Sequence, residues 1–206
     1  MSQQNLAKNT FYFTMALAAQ KLLSFIYFIF VARGIGVENT GKFSFALSFT
    51  TIFAMFLDFG LAQVLVRESA RKKANAQKYL SNTIALKLLA SLVVYGAVIL
   101  MINLMGYPEL TKQLVYISGI VMLFDSFSLS FYAVLRGLQN LKFESFGVVI
   151  NQLIILALGL LVLYFNLGLA ILISVYFVGS FFNLVYSSTL LKMRYGITAK
   201  IKFNQA

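Results

Sequence analysis

The sequence predicts an all-α fold, a polytopic membrane protein built as a bundle of six transmembrane helices. Three observations predict it. Of 206 residues, 60% are apolar and only 11% charged, against about 45–50% and about 25% in soluble globular domains. The mean hydropathy of +0.85 means more apolar surface than one water-soluble core can hide. The apolar residues also fall into six runs, each near the roughly 20 residues a spanning helix needs. None of the runs alternates apolar and polar residues as a barrel strand does, and a backbone in lipid must satisfy its own hydrogen bonds, which leaves helices.

The six spans are expected at Phe11–Ala32, Phe43–Val66, Ser81–Leu104, Leu114–Leu135, Ser145–Phe165 and Leu169–Leu191. Together they make one transmembrane lobe over residues 1–191, followed by a basic tail over 192–206. Gly34, Gly36 and Gly41 punctuate the first connection, and Asn166–Gly168 closes a very tight link between the last two spans. The sole proline, Pro108, falls in the Met105–Gln113 connection, so no span carries a proline kink. Ala16-Leu17-Ala18 has the form of a leader cleavage site, but the apolar run continues unbroken past it to Ala32, which argues against cleavage.

Composition excludes several functions. The chain has no Cys and no His, which removes disulfides, thiolate metal sites and His-based catalysis. No cofactor, metal or catalytic residue is expected, and the chain reads as something other than an enzyme. The net charge of +11 suggests nucleic acid only until the cations are placed. Twelve lie on the side of the termini: Lys8, Arg67, Arg71, Lys72, Lys73, Lys78, Arg136, Lys142, Lys192, Arg194, Lys200 and Lys202. Three (Arg33, Lys42, Lys112) lie on the other side. This asymmetry predicts both termini in the cytoplasm, with membrane lipids, not nucleic acid, as the partner of the basic loops.

The charges inside the spans carry the functional information. Lys21, Asp58, Lys87 and Asp125 all lie within apolar runs, where an ionisable residue costs about 2.5–3.5 kcal/mol at mid-span and usually faces a bundle interior or a hydrated cavity. Counting 1.5 Å per residue from the cytoplasmic ends puts them about 15, 12, 9 and 15 Å deep, in one layer. On the second span Ser44, Ser48, Thr51, Met55, Asp58 and Ala62 recur on one helical face. Ser118, Met122, Asp125, Ser128 and Tyr132 do so on the fourth, Lys87, Ser91 and Tyr95 on the third, and Gln20, Lys21 and Ser24 cluster on the first. The Ser and Thr positions read as interhelical packing. The charges read as functional, with a Lys21–Asp58 ion pair as the purely structural alternative. Asn151, Gln152, Ser180, Asn183 and Ser187 read as packing contacts.

Three segments resemble a known family. Val31–Phe49, VARGIGVENTGKFSFALSF, is similar to the first-loop and second-span signature of polysaccharide-export flippases. Asp58-Phe-Gly-Leu61 followed by Val66-Arg-Glu-Ser-Ala-Arg71 resembles the end of their second span and the next loop, and Arg136-Gly-Leu-Gln-Asn-Leu-Lys-Phe143 the loop after their fourth. These proteins form the O-antigen-flippase-like branch of the multidrug/oligosaccharidyl-lipid/polysaccharide superfamily, and the resemblance runs along essentially the whole chain. It implies a two-lobe architecture with a central cavity, of which this chain is the N-terminal half. The implied activity is transport of lipid-linked oligosaccharide, on a polyprenyl phosphate or pyrophosphate carrier, across the cytoplasmic membrane by alternating access. A second six-helix lobe, or self-association, is the implied partner. Lys21 and Lys87 are then candidates for the anionic head, with Arg67 and Arg136 near the cytoplasmic mouth. Asp58 and Asp125 are candidates for ion pairing or ion coupling. Alternatives are half of a drug/cation exporter of the same superfamily, which would be expected to carry an acidic residue rather than Lys21 in the first span, and a non-transporting membrane scaffold. A lipid-sugar transferase would need clustered acids that six scattered carboxylates do not supply.

Overall fold

The computed structural model describes residues 3–199, with side chains from Asn9 onward; Lys8, Lys200 and Lys202 of the charge count and the end of the basic tail lie outside those side chains. The described chain is helical almost throughout: α1 (Gln3–Asp58), α2 (Leu61–Arg71), α3 (Lys73–Leu104), α4 (Glu109–Gly137), α5 (Leu141–Tyr164) and α6 (Leu169–Tyr195). Five of these, all but α2, are long and apolar enough to cross a membrane. The chain is a multi-pass membrane protein.

The first helix makes two passes. Gly36 sits inside it at φ 77°, ψ 170°, a conformation essentially confined to glycine, and there the chain folds back. Asn9 donates to the Gln139 carbonyl at one end of the bundle, whereas Gly34 lies against Leu163 at the other. Val66 and Ser69 are back at the first end, against Gly137. The Asn39 amide caps the reversal by donating to the Ile35 carbonyl at 3.1 Å, one of the carbonyls that a helix end leaves without a partner. The second pass ends earlier than the sequence suggests. Phe59 (φ 40°) and Gly60 (φ 81°) break the helix, so residues 61–66 belong to α2 instead of continuing the span to Val66.

α4 is the central element and packs against each of the other five helices. The first arm of α1 lies on α5, where Gly159 makes room for Tyr27: a Cβ there would come within 2.3 Å of the ring. The second arm runs between α3, α4 and α6, with Phe43 and Tyr27 both meeting Tyr176. α2 turns Ala62, Leu65, Glu68 and Ser69 inward. At the end where Gly34 meets Leu163, an apolar core gathers Val31, Phe43, Ala46, Val98, Ile102, Leu114, Val115 and Ile173. A second core at the end of the termini gathers Leu65, Ala76, Leu80, Phe131–Leu135 and Leu191. Between the two, along α4, lies a polar layer.

Candidate functional site

The polar layer surrounds a cavity of about 510 Å³. The second arm of α1 supplies Thr50, Thr51, Ala54 and Asp58, α4 supplies Ser118, Met122, Asp125 and Ser126, and α6 supplies Tyr176. Thr50, Thr51, Ala54 and Asp58 follow at helical spacing, so one face of the arm forms that wall. Part of the stripe expected on the second span is therefore turned elsewhere: Ser48 is exposed away from the lining and Met55 is 72% exposed.

Lys87 stands in the wall behind Asp58, with no exposed surface. Its ammonium donates to Asp58 Oδ1 at 2.9 Å and to the Ser126 carbonyl at 2.8 Å. This joins the second arm, α3 and α4 through one cation. A buried ammonium is costly unless its charge and protons are met, and here one carboxylate and one carbonyl meet them. The Asp58 side chain keeps 21% of its surface open, so the pair touches the cavity through its anion.

The ion pair weighed from sequence as the purely structural alternative, Lys21 with Asp58, is not formed. Lys21 lies on the first arm, which packs on α5, while Asp58 ends the second arm and faces α3. Lys21 is exposed and has no carboxylate or carbonyl partner among the described residues. The structure thus brings together three of the four intramembrane charges and leaves Lys21 apart on the outer surface of the lobe.

Asp125 is the other singular group. Five of the six carboxylates, Glu38, Asp58, Glu68, Glu109 and Glu144, are paired with a Lys or Arg. Asp125 has only the Ser180 hydroxyl of α6 beside it, and its side chain is open to the cavity.

A family model described as polysaccharide biosynthesis protein matches residues 6–206. The chain belongs to that family. No curated protein and no solved structure matches it.

The two remaining candidates in this chain, Arg67 and Arg136, have unequal surroundings. Arg136 is gripped by Glu144 through two hydrogen bonds, its Nε donating to Oε2 at 2.7 Å and its Nη2 to Oε1, and it lies over the Phe13 ring. Its guanidinium also lies within the field of Asp58. Arg67 is largely exposed and makes one long contact, 3.3 Å, with the neighbouring Glu68. Glu144 escaped the sequence reading although it directly follows the Arg136–Phe143 motif. The available signal was the tight α4–α5 turn, closed by Asn140 N–H donating to the Leu135 carbonyl, which brings position 144 back alongside position 136. The Ser126 carbonyl left no signal at all, because a backbone acceptor has no residue type. Of the polar rows read as packing, Tyr132 hydrogen-bonds Asn183, Tyr95 donates to the Tyr116 carbonyl, and the Ser91 and Ser128 hydroxyls bond their own helices.

Proposed function

We propose that this chain is one six-helix lobe of a transporter that moves lipid-linked oligosaccharide across the cytoplasmic membrane by alternating access. The observation that carries the reading is the polar layer held between two apolar cores, where a cavity meets a preformed Asp58–Lys87 pair and a carboxylate, Asp125, that no cation neutralises. Such groups are expensive at this depth and mark substrate or ion pathways. The family and the motif resemblance supply the cargo class, a glycan on a polyprenyl phosphate or pyrophosphate. A second lobe, or a second copy of this chain, completes the cavity that shelters its head.

The roles divide by availability. Lys21, exposed and unpaired on the outer surface of the lobe, serves the anionic head where the second lobe or second copy packs against the first arm. Lys87 becomes available only when Asp58 releases it, which suits a group that reads cargo in the alternate state. Arg67 and Arg136 stand at the cytoplasmic mouth, Arg136 preset by Glu144. Asp125 takes the coupling ion or proton.

The test is flux of a lipid-linked oligosaccharide in proteoliposomes holding the complete two-lobe assembly. Asp125→Asn is expected to abolish ion-driven flux while leaving membrane abundance unchanged. Wild-type flux from both Asp125→Asn and Lys21→Gln would reject the reading. The orientation has its own test, since the chain has no Cys. With both termini cytoplasmic, an impermeant thiol reagent added to intact cells labels Val37→Cys, at a 92% exposed position, and spares Lys73→Cys; the reverse pattern inverts the topology.

A further inference from the structure

A second concavity lies on the outside of the bundle, away from the Asp58–Asp125 cavity. It has a volume of about 680 Å³ and is lined by α5 and α6, chiefly through Phe143, Phe182, Val185, Tyr186, Thr189 and Leu190, with Met193 and Arg194 at one end. Its walls are mainly apolar. The one phenol among them is already engaged, Tyr186 donating to the Phe143 carbonyl at 3.2 Å. From Phe182 to Arg194 the groove follows α6 for about 18 Å at 1.5 Å per residue, close to the ~15 Å hydrocarbon depth of a single leaflet.

The charged end decides the occupant. The Arg194 guanidinium stacks over the Phe143 ring at 4.8 Å, which holds it at the groove mouth. Lys142, next to Phe143, and Lys192, two residues before Arg194, are both exposed. None of the three has a carboxylate partner among the described residues. An apolar slot one leaflet deep, with Arg194 in its lining and Lys142 and Lys192 exposed close by in sequence, complements a molecule with a long hydrocarbon chain and a phosphate head. The described part of the chain's own tail leaves in another direction: the Thr198 N–H donates to Gln77 on α3 at 2.9 Å, and Lys73 of α3 covers the Tyr195 ring.

We propose that the α5–α6 groove binds an anionic phospholipid of the surrounding bilayer, one acyl chain lying between Phe182 and Thr189 and the phosphate held by Arg194, Lys192 and Lys142. The groove opens on the outside of the lobe and shares no lining residue with the cargo cavity, so the proposal does not depend on the transport reading. It gives the lobe a fixed lipid partner in one leaflet, and it selects head-group charge where the rest of the apolar surface does not.

The chain contains no Trp, so one introduced Trp reports one place. Phe182→Trp reports the groove, and Leu92→Trp, at a 75% exposed position on α3, reports ordinary boundary lipid. Each single-Trp protein is reconstituted in mixtures carrying bromine-labelled acyl chains on either phosphatidylglycerol or phosphatidylcholine. The expected result is quenching of Phe182→Trp at a several-fold lower fraction of brominated phosphatidylglycerol than of brominated phosphatidylcholine, with no such preference at Leu92→Trp. Adding Arg194→Gln and Lys192→Gln is expected to remove the preference, each cation near an anionic lipid being worth about five-fold, while the Leu92→Trp signal in the same background verifies the fold. Equal curves for the two lipids at Phe182→Trp overturn the proposal, as does a preference that survives loss of both cations. Stoichiometric displacement by a polyprenyl phosphate overturns it too, by assigning the groove to the cargo carrier.

Discussion

Two lysines at similar depth in this protein have opposite surroundings. Lys87 has no exposed surface and gives its protons to Asp58 and to the Ser126 carbonyl. Lys21 lies open on the outer face of the first arm with neither kind of partner. Residue type and depth are therefore poor guides to what a membrane-embedded charge does; the helix face decides. Lys87 links three helices and supports the fold. Lys21 contributes nothing to holding this lobe together, and a solitary exposed cation at mid-membrane is tolerated only where water, a partner helix or an anionic ligand reaches it.

The largest effect separating the two is expected from Asp58→Ala. It leaves Lys87 buried and uncompensated, a loss of about 3–5 kcal/mol for pairs of this kind, read as a collapse in membrane abundance and in the thermal unfolding midpoint of the detergent-solubilised protein. Equal stability of Asp58→Ala and Lys21→Gln would break the comparison outright. The exchange Asp58→Lys with Lys87→Asp is expected to recover most of that stability, because opposite charges still face each other. Recovery of flux in the complete assembly along with abundance would make the pair structural; abundance without flux would give Lys87 a direct part in transport.

Smaller effects sharpen the other side. Lys21→Gln is expected to stay within about 0.5 kcal/mol of the wild type, as surface substitutions do, and to lose flux. Lys21→Arg keeps the charge and can fork onto phosphate, so it is expected to retain part of the flux. A stability loss in Lys21→Gln comparable to that of Asp58→Ala would show that a hidden partner holds Lys21.

Much of this architecture was legible before any coordinate. Apolar run length marks each pass, and the VARGIG segment marks a reversal that the structure places at Gly36. The break at Phe59–Gly60 was legible only in the Asp58-Phe-Gly-Leu61 motif, which resembles the end of a second span; hydropathy runs on through it to Val66, and the left-handed backbone at those two residues is what starts α2. Within the site, composition and spacing singled out Asp58, Lys87 and Asp125, but not which lysine Asp58 would hold. Helical periodicity ranks residues on one helix, whereas the choice between Lys21 and Lys87 depends on which helix packs where. Thr50 was overlooked for a related reason: it hydrogen-bonds back to the Ala46 and Leu47 carbonyls, a bland helical habit, yet its position also forms the cavity wall. Glu144 became visible only when the α4–α5 turn set it against Arg136.

The place of α4 has a consequence for how the protein is made. This helix touches all five others and carries Ser118, Asp125, Ser126, Ser128 and Ser130 along its length. During synthesis it leaves the ribosome before α5 and α6, and so before Ser180 and Asn183 exist to meet Asp125 and Tyr132. α4 is apolar enough to cross by itself, and its neighbours from later in the chain supply the partners of its polar side chains. The polar contacts that α4 makes with α6 therefore form only after the last pass is in place, so the middle helix of the bundle is also the one whose partners arrive latest.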